Sequence, residues 1–240
     1  MSGLLILCAT EFEMSGFLSG IPDLDRRDFG AGGLCCTPKA GADDWACLVT
    51  GPGVFNMAMG LAAYLEHHTP AMILHTGISG AFEKAGLKTG DIALAIREQY
   101  LHTGVGHWGS DPSPLPFDLI PGDAGTRQGI YRFDPDLVRN TALRLETHFA
   151  PEKGAVFTGP FLTVSAITRG TDQAGRIHDR LAPVMESMEG AAAAHVAQSY
   201  GVPMVETRAA SNLAGERDKA LWDFDLAISQ VAEICTALLH

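Results

Sequence analysis

Four junctions in this sequence set acids, hydroxyls and amides where an apolar run gives way to a helical segment or a glycine-containing turn. In open α/β sheets ligands sit beyond the carboxyl ends of the strands, so side chains at such junctions are the ones placed to act on a substrate. In ATEFEM, residues 9–14, Glu11 and Glu13 follow the run LLILC at the opening of a helix. Either carboxylate can take a proton from water, and both equally suit a first helical turn, whose dipole favours negative charge. In HTGISGAF, residues 75–82, Gly77 and Gly80 permit a tight turn and close approach of backbone to a ligand, while Ser79 offers a hydroxyl. In VMESMEGAAAAHVAQSYGVP, residues 184–203, a short run delivers Glu186 and Glu189 to its end, ahead of small residues that let a helix pack closely. A carboxylate there can accept from two vicinal sugar hydroxyls in parallel, or again serve as a helix N-terminal acid. In VETRAASNLAGERD, residues 205–218, a run closes on Arg208, Ser211 and Asn212. Asn after a strand is on its own an ordinary turn former.

Other chemistries lack their residue patterns. Neither GAGG at 30–33 nor GPG at 51–53 completes a GxGxxG fingerprint, and no GxxxxGK[ST] loop is present to cradle a nucleotide's phosphates. There is no GxSxG nucleophile elbow. The nine histidines form neither HExxH nor a Cys/His cluster, so no metal and no cofactor are expected. His67 and His68 close a helix, and His195 reads as a packed or surface residue of the small-residue helix.

Positioning those junctions requires strands and helices in alternation. Apolar runs near 4–8, 45–50, 71–75, 91–102, 154–158, 161–167, 184–188 and 203–209 predict strands. Segments near 11–19, 54–67, 136–149, 173–181, 190–200 and 223–239 predict helices. Phe55, Met59, Ala62, Ala63 and Leu65 recur at helical period, as do Phe224, Ala227, Ile228, Val231, Ile234 and Leu238. The pattern predicts an α/β fold, a three-layer α/β/α sandwich around a central mixed sheet, in one domain spanning 1–240. Between residues 104 and 129 the chain is rich in Gly, Pro and Asp without periodicity, so a long loop is expected, of the kind that covers or gates a site.

At 240 residues, with 46% hydrophobic and 19% charged residues, the chain can bury a large core without disulfide, metal or partner. A net charge of −11 argues against nucleic acid or an anionic membrane as the partner and favours a small molecule. Five cysteines, with Cys35 and Cys36 adjacent, suit reduced thiols and a cytoplasmic location. The run Leu4–Cys8 is too short for a signal-peptide core and lacks a basic leader, and no run approaches a membrane span.

The four junctions in this order resemble the purine nucleoside phosphorylase and nucleosidase superfamily over nearly the whole chain, with MEGAAAAHVAQSYGVPMVETRAASNLAGERDKALWDFDLA at 188–227 most similar to its futalosine hydrolase branch. The resemblance implies a nucleoside phosphorylase-like fold, a nucleoside substrate, and a homodimer or higher homo-oligomer in a bacterial cytoplasm serving the futalosine route to menaquinone. It matches Glu13 to the acid that activates water, Glu189 to the ribose-binding acid and Met188 to a residue packing on the sugar. Phe161 and Leu162 fall in the base-stacking segment, and Arg208 and Ser211 flank the base-recognition position. Ser79 joins these as a substrate-binding hydroxyl.

Adenine-specific relatives carry Asp where this chain has Asn212. Adenine pairs an N7 acceptor with an N6 donor, which a protonated Asp can match. Hypoxanthine presents acceptors at N7 and O6, which suit an amide NH₂. The expected reaction is therefore hydrolysis of the N-glycosidic bond of futalosine, releasing hypoxanthine. An adenine nucleosidase acting on methylthioadenosine or S-adenosylhomocysteine, a phosphorylase and a non-catalytic nucleoside binder are the alternatives. Phosphorolysis calls for a basic clamp, and residues 9–20 hold no Arg or Lys, though Arg97 and Arg208 could reach an anion from elsewhere. The carboxylate arm of futalosine calls for a cation, with Arg127, Arg132 and Lys84 as unranked candidates.

Overall fold

Strand β1, Leu4–Cys8, is an unbroken apolar run almost wholly buried, as a strand inside a parallel sheet must be. It lies between β4, Trp45–Val49, and β5, Met72–Ala81, parallel to both. The computed structural model describes residues 3–30, 33–39, 44–106, 112–149 and 156–239. Beyond β5 come β6 (Ile92–Tyr100), β7 (Ile130–Arg132), β8 (Val156–Thr163), β9 (Met185–Ser187) and β10 (Met204–Leu213). On the other edge a hairpin of β2, Leu24–Phe29, and β3, Gly33–Pro38, pairs antiparallel through β3 with β4. The mixed sheet has ten strands.

Half of the sheet closes on itself. β5 pairs parallel with β10, β10 antiparallel with β6, β6 parallel with β8, β8 parallel with β9, and β9 antiparallel with β5 again. This ring brings the ends of β5, β9 and β10 to one place. The β5–β10 register runs from Ile73 opposite Met204 to Ala81 opposite Leu213, with a bulge between Ala210 and Asn212. A bulge breaks the strict alternation of side chains and re-aims those that follow, here Ser211 and Asn212.

Among the described residues six α-helices complete the fold: α1 (Glu11–Ser19), α2 (Val54–Leu65), α3 (Pro135–His148), α4 (Thr171–Leu181), α5 (Gly190–Ser199) and α6 (Phe224–Leu239). α6 packs on α1 and α3, and α2 packs on α5, so two helical groups flank the sheet as the α/β pattern predicts. The main core cluster reaches from Leu5, Ile6 and Leu7 of β1 to Val231, Ile234 and Leu238 of α6, and a smaller one gathers Phe82, Leu162, Val164 and Ile177. All five cysteines are free thiols. Among the described residues no helix is long and apolar enough to cross a membrane.

Three strands and the bounds of three others depart from the expectation: β5 and β10 run on through Ala81 and Leu213, past the ends expected at 75 and 209, so Gly77 and Gly80 lie within a strand rather than a turn. β2, LDRRDF, was not expected because its apolar content is low and Arg26, Arg27 and Asp28 are exposed. Charged side chains on an edge strand discourage pairing with another chain, which is why it reads as polar. β3 and the three-residue β7 were likewise not expected. The two strands expected at 154–158 and 161–167 are a single strand running straight through Pro160, with 164–167 outside any strand and 154–155 outside the described residues. Proline cannot donate to a ladder, and the register of β6 shifts between Ala95 and Arg97 where it meets Pro160. Within 104–129 the described residues form an isolated bridge between Val105 and Ser113 and a 3₁₀ turn at Ala124–Gln128; residues 107–111 lie outside the description.

Candidate active site

The four junctions converge on one cavity of about 370 Å³. Its wall includes Glu13 from α1, Ser79 from β5, Glu186 from β9, Met188 and Glu189 from the turn into α5, and Ser211 and Asn212 from β10.

Glu13 owes its position to helix capping. Thr10 is the N-cap of α1: its hydroxyl accepts from the Glu13 backbone N–H at 3.3 Å, and the Glu13 carboxylate accepts in return from the Thr10 N–H at 2.9 Å. The Thr10 hydroxyl donates to the same Oε2 at 2.8 Å, and Oε1 accepts from the Ile78 N–H at 3.1 Å. Capping and a role in the cavity thus coincide in one side chain. Burial pushes the Glu13 carboxyl above its ordinary value of 4.5, against the pull of the Arg208 charge and the Thr10 hydrogen bond, with Glu189 pushing the same way as burial. A raised carboxyl pKa moves it toward the range in which a base is most effective at neutral pH.

Glu189 precedes α5 yet makes no cap to it. Its Oε1 instead accepts from the Gly53 N–H at 2.8 Å, at the start of α2, and its Oε2 accepts from the Met188 N–H at 3.2 Å. The helix-acid reading therefore does not describe this side chain. Both oxygens sit on the cavity wall with lone pairs remaining.

Asn212 is oriented by its neighbours. Its Nδ2 donates to the Leu213 carbonyl at 2.8 Å, and its Oδ1 accepts from the Ser211 hydroxyl at 2.9 Å. A carbonyl can only accept, so the amide cannot be turned round without setting two oxygens face to face. One amide proton remains for a ligand. Ser79 donates to the Met185 sulfur at 3.0 Å, and the Ser79 carbonyl lies 3.3 Å from the Ser211 hydroxyl.

Three expected residues do not reach the cavity. Phe161 and Leu162 are each 1% exposed and packed into two different apolar clusters. β8 continues through Thr163, so its side chains alternate into the core, and Val164 and Ile167 are the residues of this segment on the wall. Arg208 is fully buried behind the wall, where its Nε donates to Glu206 Oε1 at 3.0 Å and Nη2 contacts His75 Nε2 at 2.9 Å. Gly77, opposite Arg208 in the β5–β10 register, makes room for it: a Cβ there would lie 2.5 Å from Glu13 Oε1 and 2.7 Å from Arg208 Nη1.

Glu186, the other acid of the third junction, is buried on the wall, its carboxylate accepting from the Thr168 N–H at 3.1 Å and from the Thr168 hydroxyl, and burial raises its pKa. The structure also adds residues to the site. Arg217 reaches the wall from the loop after β10, its guanidinium 5.1 Å from the Trp222 ring. Gly215 lets that loop turn, since at φ +89° a Cβ would lie 2.5 Å from the Gly170 carbonyl. Phe12, Trp222 and Phe224 add aromatic surface. In the sequence Arg217 and Trp222 lay inside the quoted GERD and WDF stretches with no period or motif to single them out, Phe12 lay in ATEFEM, and Phe224 read only as part of a helical period. Arg127 pairs with Asp118 and Lys84 with Asp179, and neither they nor Arg132 nor Arg97 line the cavity. No described residue of 104–129 lines it either. Among the described residues no cluster of His, Cys, Asp and Glu is arranged to hold a metal.

Three buried acids and an amide around one cavity suit an enzyme that acts on nucleosides, and comparison with known proteins agrees. Residues 4–240 match the model of the phosphorylase superfamily, and the chain belongs to that family. It is 32% identical over 194 residues to futalosine hydrolase from Thermus thermophilus, covering 80% of each chain. It is 28% identical over 178 residues to a 5′-methylthioadenosine/S-adenosylhomocysteine nucleosidase from Oceanobacillus iheyensis, covering 73% of this chain and 71% of that one. The fold superimposes on the Neisseria meningitidis nucleosidase in complex with methylthio-immucillin-A with a TM-score of 0.80 at 19% identity, over 100% of this chain and 99% of that one. These relatives are hydrolases of N-glycosyl bonds, and it is with that class of enzyme that the chain stands.

Proposed function

We propose that the protein hydrolyses the N-glycosidic bond of futalosine, releasing hypoxanthine. The observation that carries this reading is the orientation of Asn212, whose one free amide N–H can donate to N7 or O6 of a 6-oxopurine. As the ribosyl–purine bond lengthens toward an oxocarbenium-like state, Asn212 donates to the departing base, which gathers negative charge. Glu13, ionised, takes a proton from the attacking water as its oxygen bonds to the anomeric carbon. The leaving purine takes up a proton in turn. Glu189 accepts from the 2′ and 3′ hydroxyls, and its charge beside the ribosyl cation counts most in the transition state.

Arg217 is the sole Lys or Arg among the described residues of the wall, and we assign it to the carboxylate of the substrate's arm. Three acids against one cation disfavour an inorganic phosphate dianion as nucleophile, which supports hydrolysis over phosphorolysis. In this reading the enzyme is a homo-oligomer of the bacterial cytoplasm on the futalosine route to menaquinone, and the whole chain is one catalytic domain. The test is base release from futalosine, inosine and methylthioadenosine in parallel, with and without phosphate. Preferential release of adenine would instead favour the adenine nucleosidase reading.

A further inference from the structure

Behind the cavity lies a group of charged side chains to which the proposed chemistry assigns no part. Glu98 of β6, His75 of β5, and Glu206 and Arg208 of β10 are all 0% exposed. Glu206 and Arg208 stand two apart on one face of β10, and their partners in the register on β5 are His75 and Gly77. Arg208 donates through Nε to Glu206 Oε1 at 3.0 Å, and its Nη2 lies 2.9 Å from the same oxygen. A guanidinium can only donate, so His75 Nε2, 2.9 Å from Nη2, accepts, and His75 Nδ1 carries the proton toward Glu206 Oε1 at 3.3 Å. Burial and the Arg208 charge push the His75 pKa down, consistent with a neutral ring. One corner of the guanidinium, Nη1, has no hydrogen-bond partner and points past Gly77 at Glu13 Oε1.

The far side of the cluster contains an apparent contradiction. Glu98 Oε2 accepts from the Thr163 hydroxyl at 2.8 Å. Glu98 Oε1 and Glu206 Oε2 are both sealed from solvent without any donor, and they meet beside Gly190, where a Cβ would collide with both. Both oxygens face the space that a Gly190 side chain would fill, so the two carboxyls abut there. Two carboxylate oxygens cannot bond unless a proton lies between them, because both are acceptors. Like charges at such a distance in a dry site are also costly enough to force one to be neutral.

We propose that Glu98 and Glu206 share a single proton, and that this acid–carboxylate pair, with His75, clamps Arg208 against Glu13, so that Glu98 and Glu206 are positioning residues for the water-activating acid. The proton resides on Glu98. Burial and the neighbouring Glu206 raise its pKa well above the ordinary value. Burial also opposes ionisation of Glu206, but His75 and Arg208 overcome it and hold that carboxyl down to about 2. Other groups bearing on the pair are Thr163, which donates to Glu98, and Gly190, whose missing side chain leaves the space; Glu13 and Glu189 act on Arg208 from the cavity side. The pair therefore holds one negative charge, which keeps Arg208 from being drawn wholly to Glu13. The role of Glu13 here rests on the proposed function; the shared proton does not.

The test combines infrared spectroscopy with kinetics. At pH 7 the wild-type protein should show a protonated-carboxyl stretch that shifts in heavy water and is lost in Glu98→Gln. Because Gln can donate to Glu206 and accept from Thr163 as the protonated acid does, Glu98→Gln should keep kcat within about threefold and leave the pH profile unmoved. The double variant Glu98→Gln/Glu206→Gln leaves no carboxylate opposite Arg208. It should lose at least about tenfold in kcat, with little change in KM and a displaced acid limb. A wild-type spectrum without the band, or a Glu98→Gln enzyme as impaired as the double variant, would overturn the inference. Should the double variant fail to fold, the spectrum and Glu98→Gln decide alone. If the wild type cleaved no nucleoside, the proposed function would fall while the spectrum still tested the shared proton.

Discussion

At the scale of single residues the site depends on which proton each polar group holds. In the proposed mechanism Glu13 must be ionised to accept a proton from water, and burial raises its pKa from the ordinary 4.5, so activity should be lost as pH falls through a value higher than that of an exposed glutamate. A kcat/KM profile measures it, and an acid limb at or below the ordinary glutamate range would contradict the assignment. Glu13→Gln should lower kcat by about 10²-fold or more while leaving binding of a 6-oxopurine nucleoside, followed by calorimetry, nearly intact. Asn212→Asp should reduce turnover of hypoxanthine nucleosides and raise the relative rate on adenine ones, because it replaces a donor with a group that must be protonated to donate. These residues were legible in the sequence because each stands at the end of an apolar run. Arg217 was not, because it lies in a loop whose path is set by Gly215 and by the aromatic ring beneath it.

At the scale of elements, the helices and strands prepare these groups before any ligand arrives. The reciprocal hydrogen bonds of Thr10 and Glu13 make the N-terminus of α1 part of the site. Thr10→Ala should cost about 1 kcal/mol in stability. It also removes a hydrogen bond that holds the Glu13 pKa down, so the acid limb should move to higher pH, and an unshifted profile would show that this bond does not govern Glu13. Most elements could be read from hydrophobic periodicity. Those that could not were the edge hairpin of β2, whose face carries charge, and β3, the three-residue β7, and β8, where Pro160 reads as a break but sits opposite a register shift in β6. The resemblance set Phe161 and Leu162 in the base-stacking segment, whereas the continuous strand β8 buries both and leaves Val164 and Ile167 on the wall.

At the scale of the whole molecule, the ring of β5, β10, β6, β8 and β9 explains why junctions far apart in sequence share one cavity. No local pattern discloses that closure, since it depends on β9, three residues long, bridging β8 to β5. The family resemblance supplied the fold where periodicity could supply only its class. Arg217, the sole Lys or Arg among the described residues of the cavity wall, is the residue proposed to meet the carboxylate of the substrate's arm. Arg217→Met should therefore raise KM for futalosine by about tenfold and leave inosine, which lacks the carboxylate, unchanged. Equal effects on both substrates would remove Arg217 from that role.

The most direct test of the account is the identity of the base released, measured by chromatography from futalosine and methylthioadenosine side by side with phosphate omitted or added. The account predicts hypoxanthine from futalosine at a rate indifferent to phosphate, with little adenine from methylthioadenosine. Faster release of adenine, or a requirement for phosphate, would contradict it.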